Sequence, residues 1–464
     1  MEERKGFGSN FGFLMAAIGS AVGLGNIWGF PNKMGANGGF TFLIIYLILA
    51  ACCGFIVMMG ELALGRKTGR GAIGAYKVLS KRFKWLGWLG VLSAFLILGF
   101  YCALGGYCLK YVTLNVGNLF HAGFGTGTLD GAGVFGALMA NQGEAVIYGL
   151  IFVAITMVIV MGGVGGGIEK VCSVGMPALF VMLVICIIRS CTLEGASEGL
   201  KYMFVPGWAL ANGVIKEAPD FFSVVSTAGG QMFFSLSLGM AAMITYGSYV
   251  KPEVNLNKAI NQIEIFDTGV AFLAGAMIIP AVYVFSGTEG MGAGPSLMFI
   301  SLPKVFSAMG KAGTFVGILF FVTAIFATLS SCISVLESIT ANCMEIFHTS
   351  RKKTVLVLSV IYLAASAVIA LGYSIFYVEV KLPNGSVGQL LDIMDYISNS
   401  VMMPFIALLS TILIGWVMTP NYVIDEMERN GSRFRRKKLY RIMIRYVAPV
   451  MMFILFLQST GVLS

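Results

Sequence analysis

The chain has 464 residues, 57% of them apolar and 11% charged, whereas an average soluble domain carries about 25% charged residues. That balance excludes a soluble enzyme or nucleic-acid binder and fits a chain folded largely in lipid, where helices satisfy their own backbone. The net charge of +9 resides in loop lysines and arginines of the kind that set membrane topology, and calls for no nucleic-acid partner.

In chain order, apolar runs of bilayer-spanning length fall at about 11–33, 39–64, 86–113, 145–162, 173–190, 222–247, 266–286, 313–343, 354–374, 389–418 and 443–462. They predict an all-α polytopic membrane protein of about eleven transmembrane helices, in one domain over residues 1–464. The first run lacks a small-residue cleavage site and is no signal peptide. Arg66, Lys67, Arg70, Lys77, Lys81, Arg82 and Lys84 follow the second run, Arg351, Lys352 and Lys353 the eighth, and Arg433, Arg435, Arg436, Lys437 and Lys438 the tenth. Residues 114–144 contain no Lys or Arg. This bias predicts a cytoplasmic N-terminus and, with an odd number of passes, an external C-terminus in the inner (plasma) membrane.

The first run contains Gly19-Ser-Ala-Val-Gly-Leu-Gly-Asn-Ile-Trp-Gly-Phe-Pro31. Glycines, an asparagine and a proline are costly inside a membrane helix, and unwound backbone survives there only where it lines a cavity or is buried in protein. Freed carbonyls then suit a cation, and half-helix N-termini suit a carboxylate. The sixth run repeats the peculiarity as Gln231-Met-Phe-Phe-Ser-Leu-Ser-Leu-Gly-Met240. The two breaks occupy matching places if about 11–190 and 222–418 are two repeats, with 443–462 an additional helix. No identity between the halves supports the repeat, which is inferred from position alone. Glycine-mediated helix packing accounts for single glycines, but poorly for two such clusters.

Asn26, Glu61, Asp267, Ser330, Ser331, Glu337 and Asp395 fall within or beside the spans, where desolvation makes function the default reading of a polar side chain. Hydroxyls in Ala327–Ser331 with the carbonyls of 19–22 suit one hard cation such as sodium, and Asn26, Ser235 and Asp267 suit another. Nine cysteines lie mostly in apolar segments without metal-type spacing and read as small core residues. His121 and His348, the two histidines, lie outside the apolar cores with no metal or hydrolase spacing. An enzyme is therefore not expected, and no repeated filter or continuous polar stripe suggests a channel.

These residues carry a resemblance over essentially the whole chain. Gly19–Pro31, Asn37-Gly-Gly39, Glu61 with Gly65-Arg66, Gln231–Ser248, Ala327–Ser331 and Asp392–Asp395 together resemble the bacterial amino-acid transporters of the neurotransmitter:sodium symporter family. Gly167 followed by Pro177 is similar to that family's unwinding signal at the cytoplasmic end of segment 5. The resemblance implies an inverted 5+5 repeat with broken helices 1 and 6, and co-transport of an amino acid with sodium, two ions in all, by alternating access. It implies a first sodium site from the Ala21 carbonyl, Asn26, Ser235 and Asp267, completed by the substrate carboxylate. A second follows from the carbonyls of Gly19, Val22 and Ala327 with the hydroxyls of Ser330 and Ser331.

By the same resemblance, the substrate lies along the backbone of Ser20, Ala21, Gly23, Leu24 and Gly25. Its carboxylate meets the amides near Leu24 and Gly25 and the Tyr101 hydroxyl; its ammonium meets carbonyls of Ala21, Phe234 and Ser235 and the Ser237 hydroxyl. Ile97, Phe234, Met240, Ser331 and Val335 wall the side chain. Gly23, where amine-transporting relatives place an aspartate, implies a substrate with its own carboxylate. Asp267 implies independence of chloride, and an apolar wall without charged residues implies neutral hydrophobic or aromatic L-amino acids. Symport of small neutral amino acids and sodium-dependent binding without net transport stay open as alternatives. No obligatory protein partner is expected.

Two departures concern the gates. Asp395 matches the acid of the family's outer gate, but Gly29 stands where its arginine belongs. Lys33, one turn outward, either reaches toward Asp395 or extends to the headgroups. Arg4 and Phe7 match the inner latch, with Glu345 as the acidic partner.

Overall fold

The computed structural model describes residues 6–127, 129–215, 217–287, 297–373, 375–383 and 387–463. The order is α1 Asn10–Ala21, α2 Gly25–Ala36, α3 Phe40–Thr68, α4 Ala72–Leu79, α5 Lys84–Leu119, α6 Gly131–Ala140, α7 Gln142–Met161, α8 Val164–Cys191, α9 Ala196–Phe204, α10 Trp208–Ala211, α11 Phe221–Ser235 and α12 Ala242–Gly247. There follow α13 Leu256–Ser286, α14 Leu297–Ala308, α15 Lys311–Phe347, α16 Arg351–Ala370, α17 Leu390–Val417, α18 Asn421–Met427 and α19 Lys437–Ser459. A two-stranded antiparallel hairpin, β1 Val380–Lys381 with β2 Val387–Gly388, precedes α17.

Among the described residues nine helices are long and apolar enough to cross a membrane, and α1 with α2 forms a further pass bent by 47°. The expected run at 222–247 is present as α11 and α12, interrupted at 236–241. Side-chain caps set several starts: Ser9 accepts from the Gly12 amide at 2.9 Å, Asp220 from Ser223 at 2.8 Å and Asn255 from Lys258 at 3.0 Å, each satisfying a donor the first turn leaves unpaired. The last of these explains why α13 begins at Leu256, ahead of the expected 266. Its first turns carry Asn257, Lys258, Asn261 and Glu264, so hydropathy locates the apolar part and misses the amphipathic entrance.

The bundle has an inside and an outside. The most apolar stretches of α5 and α15 are both 72% buried, whereas those of α8 and α19 are 33% and 28% buried. Thus α5 and α15 form the central wall, and α8 and α19 turn most of their apolar surface outward to lipid. All nine cysteines are free thiols. The start of α8 is wound throughout: Gly167 lies in a π-helical turn, Val164–Glu169, and Pro177 is carried inside Lys170–Cys191. The unwinding those two residues signal is therefore absent from this conformation.

Candidate functional site

The two helix breaks face one another and α5, α13 and α15 close around them. In an unbroken α1 the amides of Gly23, Leu24 and Asn26 would bond the carbonyls of Gly19, Ser20 and Val22, four residues back. Instead Gly23 N–H donates to Asn26 Oδ1 at 2.9 Å, Leu24 N–H to the Tyr101 hydroxyl at 2.8 Å, and Asn26 N–H to Gly23 O at 3.1 Å. The carbonyls of Gly19, Ser20 and Val22 lose their helical donors. Side-chain hydroxyls reach two of them, Ser237 donating to Ser20 O at 2.7 Å and Ser331 lying 3.5 Å from Gly19 O.

The second break is more strained. Ser237 and Ala241 have φ of 53° and 65°, and Gly239 between them has φ of 80°. Left-handed backbone costs about 1–3 kcal/mol at a non-glycine residue and persists only where the surroundings hold it. Here the Ser237 hydroxyl is tied to α1, and Gly239 N–H donates to Glu61 Oε1 on α3 at 2.7 Å. Gln231 adds a third tie, its Nε2 donating to Gly25 O at 2.6 Å.

Asn26, Ser235 and Asp267, distant in sequence and all buried, meet between the breaks. Ser235 Oγ lies 3.0 Å from both carboxylate oxygens of Asp267, and Asn26 Nδ2 donates to Ser235 Oγ at 2.9 Å and Asp267 Oδ1 at 2.7 Å. A hydroxyl, a carboxylate and an amide converging in a dry interior are a hard-oxygen donor set. A cation among them needs the Asn26 amide turned over, so that Oδ1 rather than Nδ2 faces Asp267. At the other expected ion position, Ser330 Oγ lies 3.1 Å from Ala327 O. A Cβ built on Gly19 would stand 2.9 Å from Ser330 Cβ, so only glycine lets the α1 carbonyls come this near α15.

Between these clusters is a narrow cavity of about 10 Å³, roughly the room of one water molecule. Ten expected site residues line it: Ala21, Gly23, Gly25, Ile97, Tyr101, Phe234, Ser237, Met240, Ser331 and Val335. Ser20, Leu24 and Ser235 stand just behind, touching its lining through hydrogen bonds or chain neighbours. Phe234 is edge-on to Tyr101, with centroids 6.0 Å apart and an interplanar angle of 76°. Leu98 and Cys332 also line the cavity and were not expected. Each adjoins an expected residue, and an apolar residue beside another carries no sign of which side chain faces inward.

The family description "Sodium:neurotransmitter symporter family" matches residues 4–119 and 137–463. The chain belongs to this family. It is 34% identical over 98% of both chains to the uncharacterized sodium-dependent transporter YhdH of Bacillus subtilis, and 29% identical to one of Methanocaldococcus jannaschii, covering 100% of this chain and 92% of that one. Among solved structures it is similar to MhsT in complex with L-phenylalanine, with a TM-score of 0.87 and 35% identity over 98% of this chain and 100% of that one.

The two ends of this symporter differ. On the side of the α1 N-terminus, Phe7 is buried in an aromatic cluster with Phe13, Tyr246 and Tyr249, at centroid distances of 5.4, 5.6 and 6.3 Å. Glu345 accepts from the Gly71 amide at 3.1 Å and lies 3.6 Å from Arg70; Arg4 lies outside the described residues. Glu169, at the start of α8, was not expected here: its carboxylate accepts from the amides of Gly8 and Ser9 at 2.6 and 3.1 Å and from the Ser9 hydroxyl at 2.7 Å. At the opposite end Lys33 and Asp395 are not joined by an ion pair within 4.0 Å among the described residues. Asp395 is held instead by Asn399 at 2.5 Å.

Proposed function

We propose that this symporter couples the entry of neutral, hydrophobic or aromatic L-amino acids to two sodium ions, by alternating access across the inner (plasma) membrane. Gly23 carries the reading. A Cβ there would come within 2.7 Å of both the Tyr101 hydroxyl and Ser331 Oγ, so any side chain, an aspartate above all, would crowd the hydroxyls that a substrate carboxylate would meet beside the Leu24 amide. That MhsT is crystallised with L-phenylalanine supports the substrate class.

The carboxylate would complete the coordination of a sodium ion at Ala21 O, Asn26, Ser235 and Asp267. The second ion would take Gly19, Val22, Ala327, Ser330 and Ser331. Each bound species then improves the other's site, reciprocally, because a carboxylate buried without its cation carries an uncompensated charge. Asp267 provides a fixed negative charge, so chloride is not required. The Ser237 hydroxyl with the carbonyls of Ala21, Phe234 and Ser235 would take the ammonium. Ile97, Met240 and Val335 offer no polar partner to a substrate side chain, and adaptable Met240 tolerates several shapes.

The N-terminus is read as cytoplasmic and the C-terminus as external, with about 11–190 and 222–418 as two repeats and 443–462 added to them. Arg4, Phe7 and Glu345 form the inner gate; Lys33 serves Asp395 at the outer gate in place of the arginine that Gly29 lacks. No protein partner is required beyond the lipid bilayer.

The test is uptake of radiolabelled leucine, tryptophan, glycine and lysine into proteoliposomes with sodium or potassium outside. Sodium-dependent accumulation of leucine or tryptophan is expected. Uptake of lysine with leucine and tryptophan ignored would overturn the substrate class. Sodium-dependent binding without accumulation would make the protein a sensor.

A further inference from the structure

Residues 421–445, comprising α18, the loop after it and the first turns of α19, carry eight Lys and Arg against three acids, Asp425, Glu426 and Glu428. Two of the acids are already committed. Glu426 is locked to buried Arg66 at 2.5 Å, and Glu428 to Lys437 at 2.5 Å. The hydrogen bond from Lys437, with help from the Phe434 amide, holds the Glu428 carboxyl below its ordinary value. Positive charge is therefore in surplus, and it is displayed outward. Arg433, Arg435 and Lys438 are exposed and make no hydrogen bond or ion pair among the described residues.

The display has a fixed shape. Phe434 is buried and packs edge-on against Tyr440, with centroids 5.9 Å apart, which pins the loop to the first turn of α19. Lys438 and Arg441 are three residues apart and share one face of that helix. Arg441 is steadied by Asn421 at 2.9 Å, and Arg445, a turn further, by Gly415 O at 3.0 Å. Beside them are the exposed apolar residues Leu439, Ile442 and Tyr446. Trp416 stacks edge-on against Tyr446 at 5.6 Å and donates its indole N–H to Arg445 O at 2.9 Å. An aromatic pair of this kind belongs at the headgroup level of a bilayer, and α19 is the least buried of the long apolar helices.

We propose that the entrance of α19 binds the phosphodiester headgroup of an anionic phospholipid of the cytoplasmic leaflet, with Arg435, Lys438 and Arg441 as its cations and Trp416 and Tyr446 as its anchor. A topology signal alone needs net charge near a helix end. It does not need a pinned loop, two exposed unpartnered cations and an aromatic pair facing lipid together. Juxtamembrane cations near an anionic leaflet contribute about 1 kcal/mol each, and a site that orders them beside the acyl chains retains particular lipids rather than a diffuse layer. Assignment to the cytoplasmic leaflet rests on the topology proposed above; the binding itself does not depend on transport.

The test exposes the full-length protein in detergent to equimolar phosphatidylglycerol and phosphatidylcholine and counts retained lipid by native mass spectrometry. Wild type is expected to prefer phosphatidylglycerol. In R435Q/K438Q, which breaks no internal bond, the preference falls about thirtyfold, the equivalent of two such cations. K81Q/R82Q removes the same charge from the exposed loop after α4 and leaves the preference intact. Unchanged lipid retention in R435Q/K438Q, or an equal fall in K81Q/R82Q, would overturn the site. Because no substrate or sodium is present, failure here leaves the symport reading untouched, and the reverse also holds.

Discussion

At the scale of single residues, the site is defined as much by an absent side chain as by those present. Gly23→Ala places a methyl group 2.7 Å from the Tyr101 and Ser331 hydroxyls, closer than packed atoms tolerate. Overpacking of this kind costs about 1–3 kcal/mol, and here it falls on the space meant for the carboxylate. Equilibrium binding of radiolabelled leucine to purified G23A should weaken by roughly ten- to a hundredfold, and the melting temperature should fall by a few degrees, about what an overpacking cost of this size gives. Asp267 is the opposite case, a charge whose shape can be kept while its sign is removed. Asp267→Asn still fills the place beside Ser235 and Asn26, which lie 3.0 and 2.7 Å from the carboxylate, but no longer offsets a cation. Losing one partner of a buried ion contact costs about 3–5 kcal/mol, so the sodium concentration giving half-maximal substrate binding should rise by at least tenfold. A sodium titration unchanged in D267N would remove Asp267 from the ion site.

At the scale of elements, two short breaks organise everything else, and they are held open by partners far away in sequence. Glu61 is the sharpest instance. One carboxylate oxygen accepts from Gly239 N–H, while the other has no partner among the described residues. Glu61→Ala leaves a buried amide unpaired in the middle of the second break, at a cost of about 1–3 kcal/mol; Glu61→Gln keeps an acceptor and should lose less. Melting temperatures of the two variants should therefore order as wild type, E61Q, E61A, and equal melting of E61A and wild type would deny Glu61 that role. The breaks themselves were legible: Gly19–Pro31 and Gln231–Met240 cluster residues that a lipid-exposed helix rejects, and ten of the thirteen residues expected at the substrate line one cavity. Helix starts were less legible, because α13 enters the bilayer through polar turns. Least legible were the ties of Glu61 to Gly239 and of Glu169 to Gly8 and Ser9, which span more than 150 residues and leave no local pattern. The closeness of Leu98 and Cys332 to the cavity was hidden for a different reason, since one apolar residue beside another does not declare which faces inward.

At the scale of the whole molecule, the question is how much work the two ion positions deliver together. A neutral amino acid crossing with one sodium carries one net charge, and with two sodiums carries two. Each charge moved across 100 mV yields roughly 2.3 kcal/mol, and every 1.4 kcal/mol is tenfold in concentration. At equal sodium on both sides, an interior-negative potential of about 100 mV therefore supports roughly 45-fold accumulation with one sodium and about 2,000-fold with two. The cavity bears on whether that ceiling is approached. It is no larger than a water molecule in this conformation, and the aromatic cluster at Phe7 and the carboxylate of Glu169 hold the α1 N-terminus shut below it. A site this narrow, shut on the side of the α1 N-terminus, favours sodium crossing together with the carboxylate that completes its coordination, so slippage should be slow and coupling tight. Proteoliposomes loaded with potassium, given valinomycin and equal sodium on both sides, should accumulate leucine well beyond 45-fold at steady state. A plateau at or below that value, with the membrane potential verified by a dye, would mean one net charge per cycle. Equilibrium binding of labelled sodium to the purified protein then separates a single ion site, with Gly19, Ser330 and Ser331 as ordinary helix packing, from two sodiums exchanged for one outgoing proton.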